Sequence, residues 1–184
     1  MRPTARTWVK HLILLLITLC TATIAGVLYP FGSSANFIAG DPQTAGEAWT
    51  FFQTLPVAYA VMIYKTVTDL FVVDGLLFEG LSFSVSLLFI LISHEMGHYI
   101  ACRIYKVDAT LPYFLPTPPM IGPAGTFGAF IKIMSPMPSR RAVFDIGVAG
   151  PIAGFIALIP VALIGLATMK VASPAQIAFS TGGL

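Results

Sequence analysis

Three long apolar runs, at residues 8–28, 81–101 and about 142–167, limit the folds that are open to this chain. A helix of about 20 apolar residues is long enough to cross the hydrocarbon core of a lipid bilayer. The composition agrees, because 57% of the residues are hydrophobic and only 10% are charged, whereas soluble domains carry about 25% charged residues. We therefore predict an all-α polytopic membrane protein with about three transmembrane helices.

The charged residues between the runs predict how the chain is organised. Arg2, Arg6 and Lys10 accompany the start of the first run, and Arg103 and Lys106 follow the second. Basic residues mark the cytoplasmic side, which predicts a multi-pass protein of a bacterial inner membrane with a cytoplasmic N-terminus. A cleaved signal peptide is the alternative interpretation of the first run. The predicted parts are an N-terminal transmembrane helix (1–30), an acidic extracytoplasmic loop (31–80), a membrane core (81–170) and a C-terminal tail (171–184).

Two further segments carry structural signals. The apolar stretch at residues 51–64 is short and contains Pro56, which predicts an interfacial or re-entrant segment more than a full crossing. Residues 111–138 are rich in proline and glycine, and β-branched and aromatic residues at 125–133 predict a short strand or hairpin there. Later in the chain, Gly147, Gly150 and Gly154 recur at a spacing that favours close contact between helices.

The second apolar run contains the sequence His94-Glu95-Met96-Gly97-His98. On a helix, His94 and His98 project from one face about one turn apart. Neutral imidazole nitrogens at this spacing can occupy two corners of a tetrahedral Zn²⁺ site. Glu95 is then placed to take a proton from a water bound to the metal. Polar groups at membrane depth are expensive and usually functional, so the pattern predicts a hydrolytic zinc site inside the membrane.

Four sequence blocks, in a fixed order, resemble the site-2 protease family of intramembrane zinc metalloproteases. The resemblance extends to the branch that includes chloroplast and bacterial homologues, and it covers residues 81–167. The four blocks are LISHEMGHY at 91–99, LPYFLP at 111–116, GTFGAFI at 125–131 and FDIGVAGPIAG at 144–154.

The resemblance implies an intramembrane zinc endopeptidase that cleaves transmembrane or membrane-anchored proteins in regulated intramembrane proteolysis, with residues 81–170 as a partial protease core. His94 and His98 would bind Zn²⁺ and Glu95 would be the catalytic general base. The expected partners are a transmembrane protein substrate and the lipid bilayer, without nucleic acid, and the oligomeric state stays open. A membrane-re-entrant β element would align the unwound substrate, and its predicted substrate-binding residues are Gly125, Thr126, Phe127, Gly128, Ala129 and Phe130.

The sequence departs from the family at the third zinc ligand, an aspartate in a Leu-Asp-Gly motif that this chain does not contain. No Asp or Glu follows Asp145, so we expect a C-terminally truncated chain. Asp145 is predicted to support the N-terminus of its helix and Asp108 to be a solvated loop residue. Two alternatives remain: a non-catalytic membrane protein of the same fold that binds helices or partners, and a transporter or channel that uses the three polar groups as a relay.

Overall fold

A computed structural model of the protein describes residues 5–28 and 44–168. Within these ranges, the structure contains four long helices and a small two-stranded antiparallel sheet that packs mainly against the first helix. All four helices are long and apolar enough to cross a membrane, and the predicted all-α membrane architecture with a short β element is confirmed. The elements are α1 (Ala5–Leu28), α2 (Ala45–Val72), α3 (Leu76–Ile104), β1 (Tyr113–Pro116), a 3₁₀ turn (Pro123–Gly125), β2 (Thr126–Phe130) and α4 (Arg140–Thr168).

Residues 51–64 form the middle of one continuous 28-residue helix, α2, so the apolar segment is longer than predicted, and its interfacial or re-entrant position stays a prediction. The helix passes through Pro56. Its start is capped by Thr44, whose hydroxyl accepts a hydrogen bond from the Glu47 backbone N–H at 3.2 Å. This cap follows the T-x-x-E spacing of a capping box. The number of helices that could span a membrane is therefore four, where about three were predicted.

The predicted loop at 31–80 thus contains α2 and the first turn of α3. The first part of that loop, residues 31–43, and the predicted tail at 171–184 lie outside the described residues.

Helices α1 and α3 pack in opposite directions. Near the C-terminal end of α1, the Thr23 hydroxyl is 2.8 Å from the Ser84 hydroxyl in the third turn of α3. Gly80 lies so close to α1 that an added Cβ would be 2.8 Å from the Thr23 carbonyl oxygen. The end of α1 therefore lies beside the beginning of α3.

Helix α2 ends at the same place. Only residues 73–75 separate α2 from α3, and a cavity of about 600 Å³ at this end is lined by residues such as Leu28, Asp69 and Leu76. Further back along α2, the Tyr59 hydroxyl donates a hydrogen bond of 2.8 Å to the Pro119 carbonyl in the loop between β1 and β2. Helices α1 and α2 therefore both finish where α3 begins.

Helix α4 packs against α3 through small residues. A Cβ added to Gly97 of α3 would lie 2.8 Å from the Cβ of Ala153 and would collide with the Ala149 carbonyl. Close approach of this kind is what small residues permit between membrane helices. About one turn closer to the end of α3, Cys102 packs with Ile146 of α4 in a buried apolar cluster. The helix contact predicted from the glycine spacing is present, but not at Gly147, where an added Cβ would meet no atom within 4 Å.

The predicted hairpin is also present, and it lies along α1. The ring of Tyr113 is centred 4.2 Å from that of His11, and the Thr21 hydroxyl donates a hydrogen bond of 2.8 Å to the Gly125 carbonyl. Ten residues of helix separate these two contacts, which corresponds to about 15 Å along the axis. The strand partners are Tyr113 with Phe130, Phe114 with Ala129, and Pro116 with Thr126.

Candidate metal centre and active site

The two histidines of the HExxH sequence bring their Nε2 atoms together on one face of α3. The His94 and His98 Nε2 atoms are 3.1 Å apart. Two nitrogens bound to one tetrahedral zinc, at bond lengths of about 2.0–2.1 Å, would be about 3.3–3.4 Å apart. The two side chains therefore fit two corners of such a site with little adjustment.

The second ring nitrogen of His98 fixes its tautomer. His98 Nδ1 lies 2.7 Å from the backbone carbonyl of Ile146 in α4. Because a carbonyl can only accept, Nδ1 carries the proton and Nε2 keeps its lone pair. Histidines that bind metals are commonly oriented by such a bond. Residue Ile146 was not predicted as part of the site, and its contribution through the backbone leaves no signal in the side-chain sequence.

Two glycines of α4 make room for the imidazole rings. A Cβ at Gly150 would collide with the His98 ring, and one at Gly154 would lie 3.2 Å from His94 Nδ1. The sequence indicated helix packing at these glycines but not contact with the candidate ligands. A usable signal was present, because the four-residue spacing of Gly150 and Gly154 equals that of His94 and His98 on the antiparallel neighbour.

Glu95 lies between the histidine pair and the end of the hairpin. Its side chain is 7% exposed, and its carboxylate is within hydrogen-bonding reach of the Ile131 backbone N–H. A cavity of about 410 Å³, hereafter the site cavity, opens beside it. The site cavity is lined by Glu95, His98, Phe130, Ile133, Val143, Ile146 and Gly147, among others.

The predicted substrate-binding residues divide into two groups. Phe130 lines the site cavity, whereas Gly125 and Thr126 stabilise the structure of the hairpin. Gly125 has a φ of +74° and its backbone approaches α1, and the buried Thr126 hydroxyl donates a hydrogen bond of 2.9 Å to the Leu115 carbonyl. Phe127 is 65% exposed. Binding of substrate by Gly125, Thr126, Phe127, Gly128, Ala129 and Phe130 stays a prediction.

Neither remaining candidate carboxylate completes the metal site. Asp145 lies beyond the first turn of α4, where it accepts a hydrogen bond from the Tyr105 hydroxyl and lies 3.6 Å from the Arg141 side chain. The bond to Asp145 raises the pKa of Tyr105. Asp145 thus ties the end of α3 to α4 instead of supporting a helix N-terminus. Asp108 is exposed in the loop after α3.

Within residues 5–28 and 44–168, no group of three or more His, Cys, Asp or Glu side chains could hold a metal ion. A catalytic zinc normally has three protein ligands and a water. The described residues therefore offer two imidazole ligands that fit Zn²⁺, and they contain no third ligand beside these two.

Comparison with known proteins identifies the same region. The profile of Peptidase family M50 matches residues 82–182. The probable zinc metalloprotease EGY1, chloroplastic, of Oryza sativa subsp. japonica is 37% identical over 76 residues, which are 41% of this chain and 12% of that protein. Its Arabidopsis thaliana counterpart is 36% identical over 87 residues, covering 47% and 15%. The Arabidopsis EGY2 protein is 31% identical over 91 residues, covering 50% and 16%.

The alignments thus span less than a fifth of the length of these relatives. No solved structure matches the chain. Because the family profile covers more than half of the sequence, the chain belongs to Peptidase family M50, the site-2 protease family of zinc metalloproteases.

Proposed function

We propose that this protein is an intramembrane zinc endopeptidase that cuts transmembrane or membrane-anchored proteins, as in regulated intramembrane proteolysis. The observation that carries the proposal is the pair of converging His94 and His98 nitrogens, 3.1 Å apart, with Glu95 beside them on an apolar helix. Family membership supports metalloprotease chemistry, and the four apolar helices support a location in a membrane.

Each residue has a definite task in this proposal. His94 and His98 would hold the metal, and the Ile146 carbonyl keeps the His98 Nε2 lone pair available. Bound zinc supplies a Lewis acid and lowers the pKa of a coordinated water. Glu95 takes the proton from the attacking water and later delivers it to the amine that leaves. The position of Glu95 at the wall of the site cavity gives it access to a bound peptide.

The hairpin supports the choice of a transmembrane substrate. A helix hides its peptide groups in internal hydrogen bonds, so it must unwind before a water can attack a carbonyl. An open strand edge offers hydrogen-bond partners to an extended peptide. The hairpin extends about 15 Å along α1, and β2 ends at the site cavity beside Glu95. Irregular backbone at membrane depth is tolerated where protein or a wet cavity surrounds it.

The test compares two site variants with a control on the same helix. Glu95→Gln should abolish cleavage of a transmembrane peptide and leave bound zinc unchanged, since the amide cannot accept the proton. His94→Ala should lose both zinc and cleavage. Glu79→Gln, at the exposed beginning of α3, is the matched control and should change neither. Cleavage that persists in the Glu95→Gln protein would refute the assignment.

One observation favours a second candidate function. The third zinc ligand is missing from the described residues, as expected for a non-catalytic membrane protein that binds helices with the same fold. Under this alternative, the purified chain would bind transmembrane peptides but hold less than one zinc per chain and cut nothing. Zinc measured by atomic absorption, together with peptide cleavage, separates the two functions.

The membrane and the orientation belong to the proposal as well. The basic residues at 2–10 and 103–106 favour a cytoplasmic N-terminus and a cytoplasmic end of α3. The charge pattern indicates only the orientation and the relatives are named chloroplastic, so the bacterial inner membrane stays a prediction. Modification of single cysteines by an impermeant thiol reagent in intact cells tests both points.

A further inference from the structure

Gly147 differs from the other two glycines of its repeat. Gly150 and Gly154 are required by the imidazole rings of α3, because a Cβ at either position would crowd a histidine. A Cβ at Gly147 would meet no atom within 4 Å. Helix packing therefore gives no reason for a glycine there. Gly147 lines the site cavity, and because it has no side chain, it leaves the space of the cavity free.

The site cavity is apolar apart from its catalytic wall. Glu95 and His98 are its polar side chains, and the rest of its lining consists of aliphatic and aromatic side chains, Met137 and Gly147. Two of these groups, Phe130 and Val143, are 44% and 51% exposed. A volume of about 410 Å³ lies within the range of about 300–1,000 Å³ that is usual for ligand pockets. The site cavity can therefore receive a large apolar side chain.

The position of Glu95 and His98 decides what occupies the site cavity. A peptide bond that is cut must lie against these two groups. In an extended peptide, successive side chains point to opposite faces, about 3.3 Å apart along the chain. One of the two residues beside the scissile bond must then point into the site cavity, between the end of β2 and the first turns of α4.

We propose that the site cavity is the pocket that selects the substrate residue next to the scissile bond, and that Gly147 sets the size of the side chain it accepts. This inference rests on the proposed function. The pocket favours apolar side chains because a charged one would lose its hydration against the lining of Phe130, Ile133 and Ile146.

Two variants test the pocket in opposite directions. Gly147→Leu fills it and should lower the ratio of cleavage of peptides with Phe to those with Ala beside the scissile bond by about tenfold or more. Val143→Ala enlarges it and should raise the same ratio. Gly165→Leu is the control, since Gly165 also lies on α4 with open space around its Cα but away from the site cavity. The substrates are transmembrane peptides that differ at one residue, with cleavage sites mapped by mass spectrometry.

Crosslinking provides a readout that does not depend on cleavage. In a Cys20→Ala, Glu95→Gln background treated with the oxidant copper phenanthroline, a peptide with one cysteine near its middle should form a disulfide with the Gly147→Cys protein but not with the Gly165→Cys protein. Cys20 is removed because it is exposed, whereas Cys102 is buried and can stay. Crosslinking at position 147 without cleavage by the unmodified protein would uphold the pocket and refute the protease function of this chain.

The opposite result is equally informative. Cleavage with the same Phe-to-Ala ratio in the Gly147→Leu, Val143→Ala and unmodified proteins would overturn the pocket and leave the protease function standing. Equal crosslinking at positions 147 and 165 would also overturn it, because contact would then reflect only proximity in the bilayer.

Discussion

Helices α3 and α2 are nearly equal in length, yet they are held in the molecule in different ways. Six of the 29 residues of α3 are buried, including Glu95, and two glycines of α4 fit around its histidine rings. Only three of the 28 residues of α2 are buried, namely Met62, Thr66 and Leu70. Apolar length alone therefore does not show how extensively a helix is packed against the rest of a membrane protein. The substitutions below test this difference.

The largest effect is expected where α4 meets the histidines. In Gly150→Val, the new side chain would displace the His98 ring and break its bond to the Ile146 carbonyl. Loss of such an orienting contact lowers metal affinity by about 10–100-fold. Zinc titration against a competing chelator measures the change, with Gly165→Val as control. Unchanged affinity would show that the α3–α4 contact does not define the metal site.

A smaller effect is expected for Asp145, which joins α3 to α4 outside the metal site. Asp145→Asn weakens the hydrogen bond from Tyr105 and removes the ion pair with Arg141. The free energy of unfolding should therefore fall by about 1 kcal/mol. The zinc content should not change. Equilibrium unfolding in mixed detergent micelles gives the stability. A loss of zinc would contradict the placement of Asp145 outside the metal site.

The contact between α1 and α3 includes a buried pair of hydroxyls. Loss of their hydrogen bond should lower the free energy of unfolding by less than Asp145→Asn does. Thr23→Val removes the 2.8 Å bond to Ser84, and such bonds between membrane helices contribute about 0.6 kcal/mol on average. Thr68→Val on α2 is the control, because Thr68 is exposed and bonds only within its own helix in the described structure. Equal destabilisation by the two changes would contradict the interhelical role of Thr23.

The smallest effect is expected on α2. Tyr59→Phe removes the hydrogen bond to the Pro119 carbonyl and should lower the free energy of unfolding by less than the value of about 0.6 kcal/mol expected for Thr23→Val. Tyr64→Phe, at a residue that is 75% exposed, should have no effect. Proteolysis in detergent then measures how readily α2 detaches. A loss larger than that of Thr23→Val would show that α2 is an integral part of the bundle.

The same contrast explains what the sequence could predict. The three runs that became α1, α3 and α4 are continuous and apolar, so length and composition identify them. The HExxH spacing places two imidazoles on one face of any helix, which is enough to predict their convergence. Helix α2 was underestimated because Pro56 and polar residues at both ends made its apolar part look short. The T-x-x-E pattern at Thr44 was the signal that could have extended it.

Other features of the site have no local signal. The hydrogen bond from His98 Nδ1 to the Ile146 carbonyl depends on how far α3 and α4 are shifted along their axes relative to each other. Any residue at position 146 could provide this carbonyl. The role of Asp145 depends on Tyr105, which lies 40 positions earlier in the chain. Such pairings are fixed by tertiary packing, so a single sequence without a structure does not reveal them.

The shared end point of α1 and α2 has a consequence for membrane topology. Spans joined by simple loops alternate in direction, but α1 and α2 both run towards the end where α3 begins. They therefore cannot both be crossings joined by a simple loop. Counting α1, α3 and α4 as the crossings restores a strict up–down–up order. In that order, the HExxH sequence lies on the same side of the membrane as Arg103 and Lys106. Helix α2 then packs along the bundle without adding a crossing, so its removal would not change the sides on which the ends of α1, α3 and α4 lie.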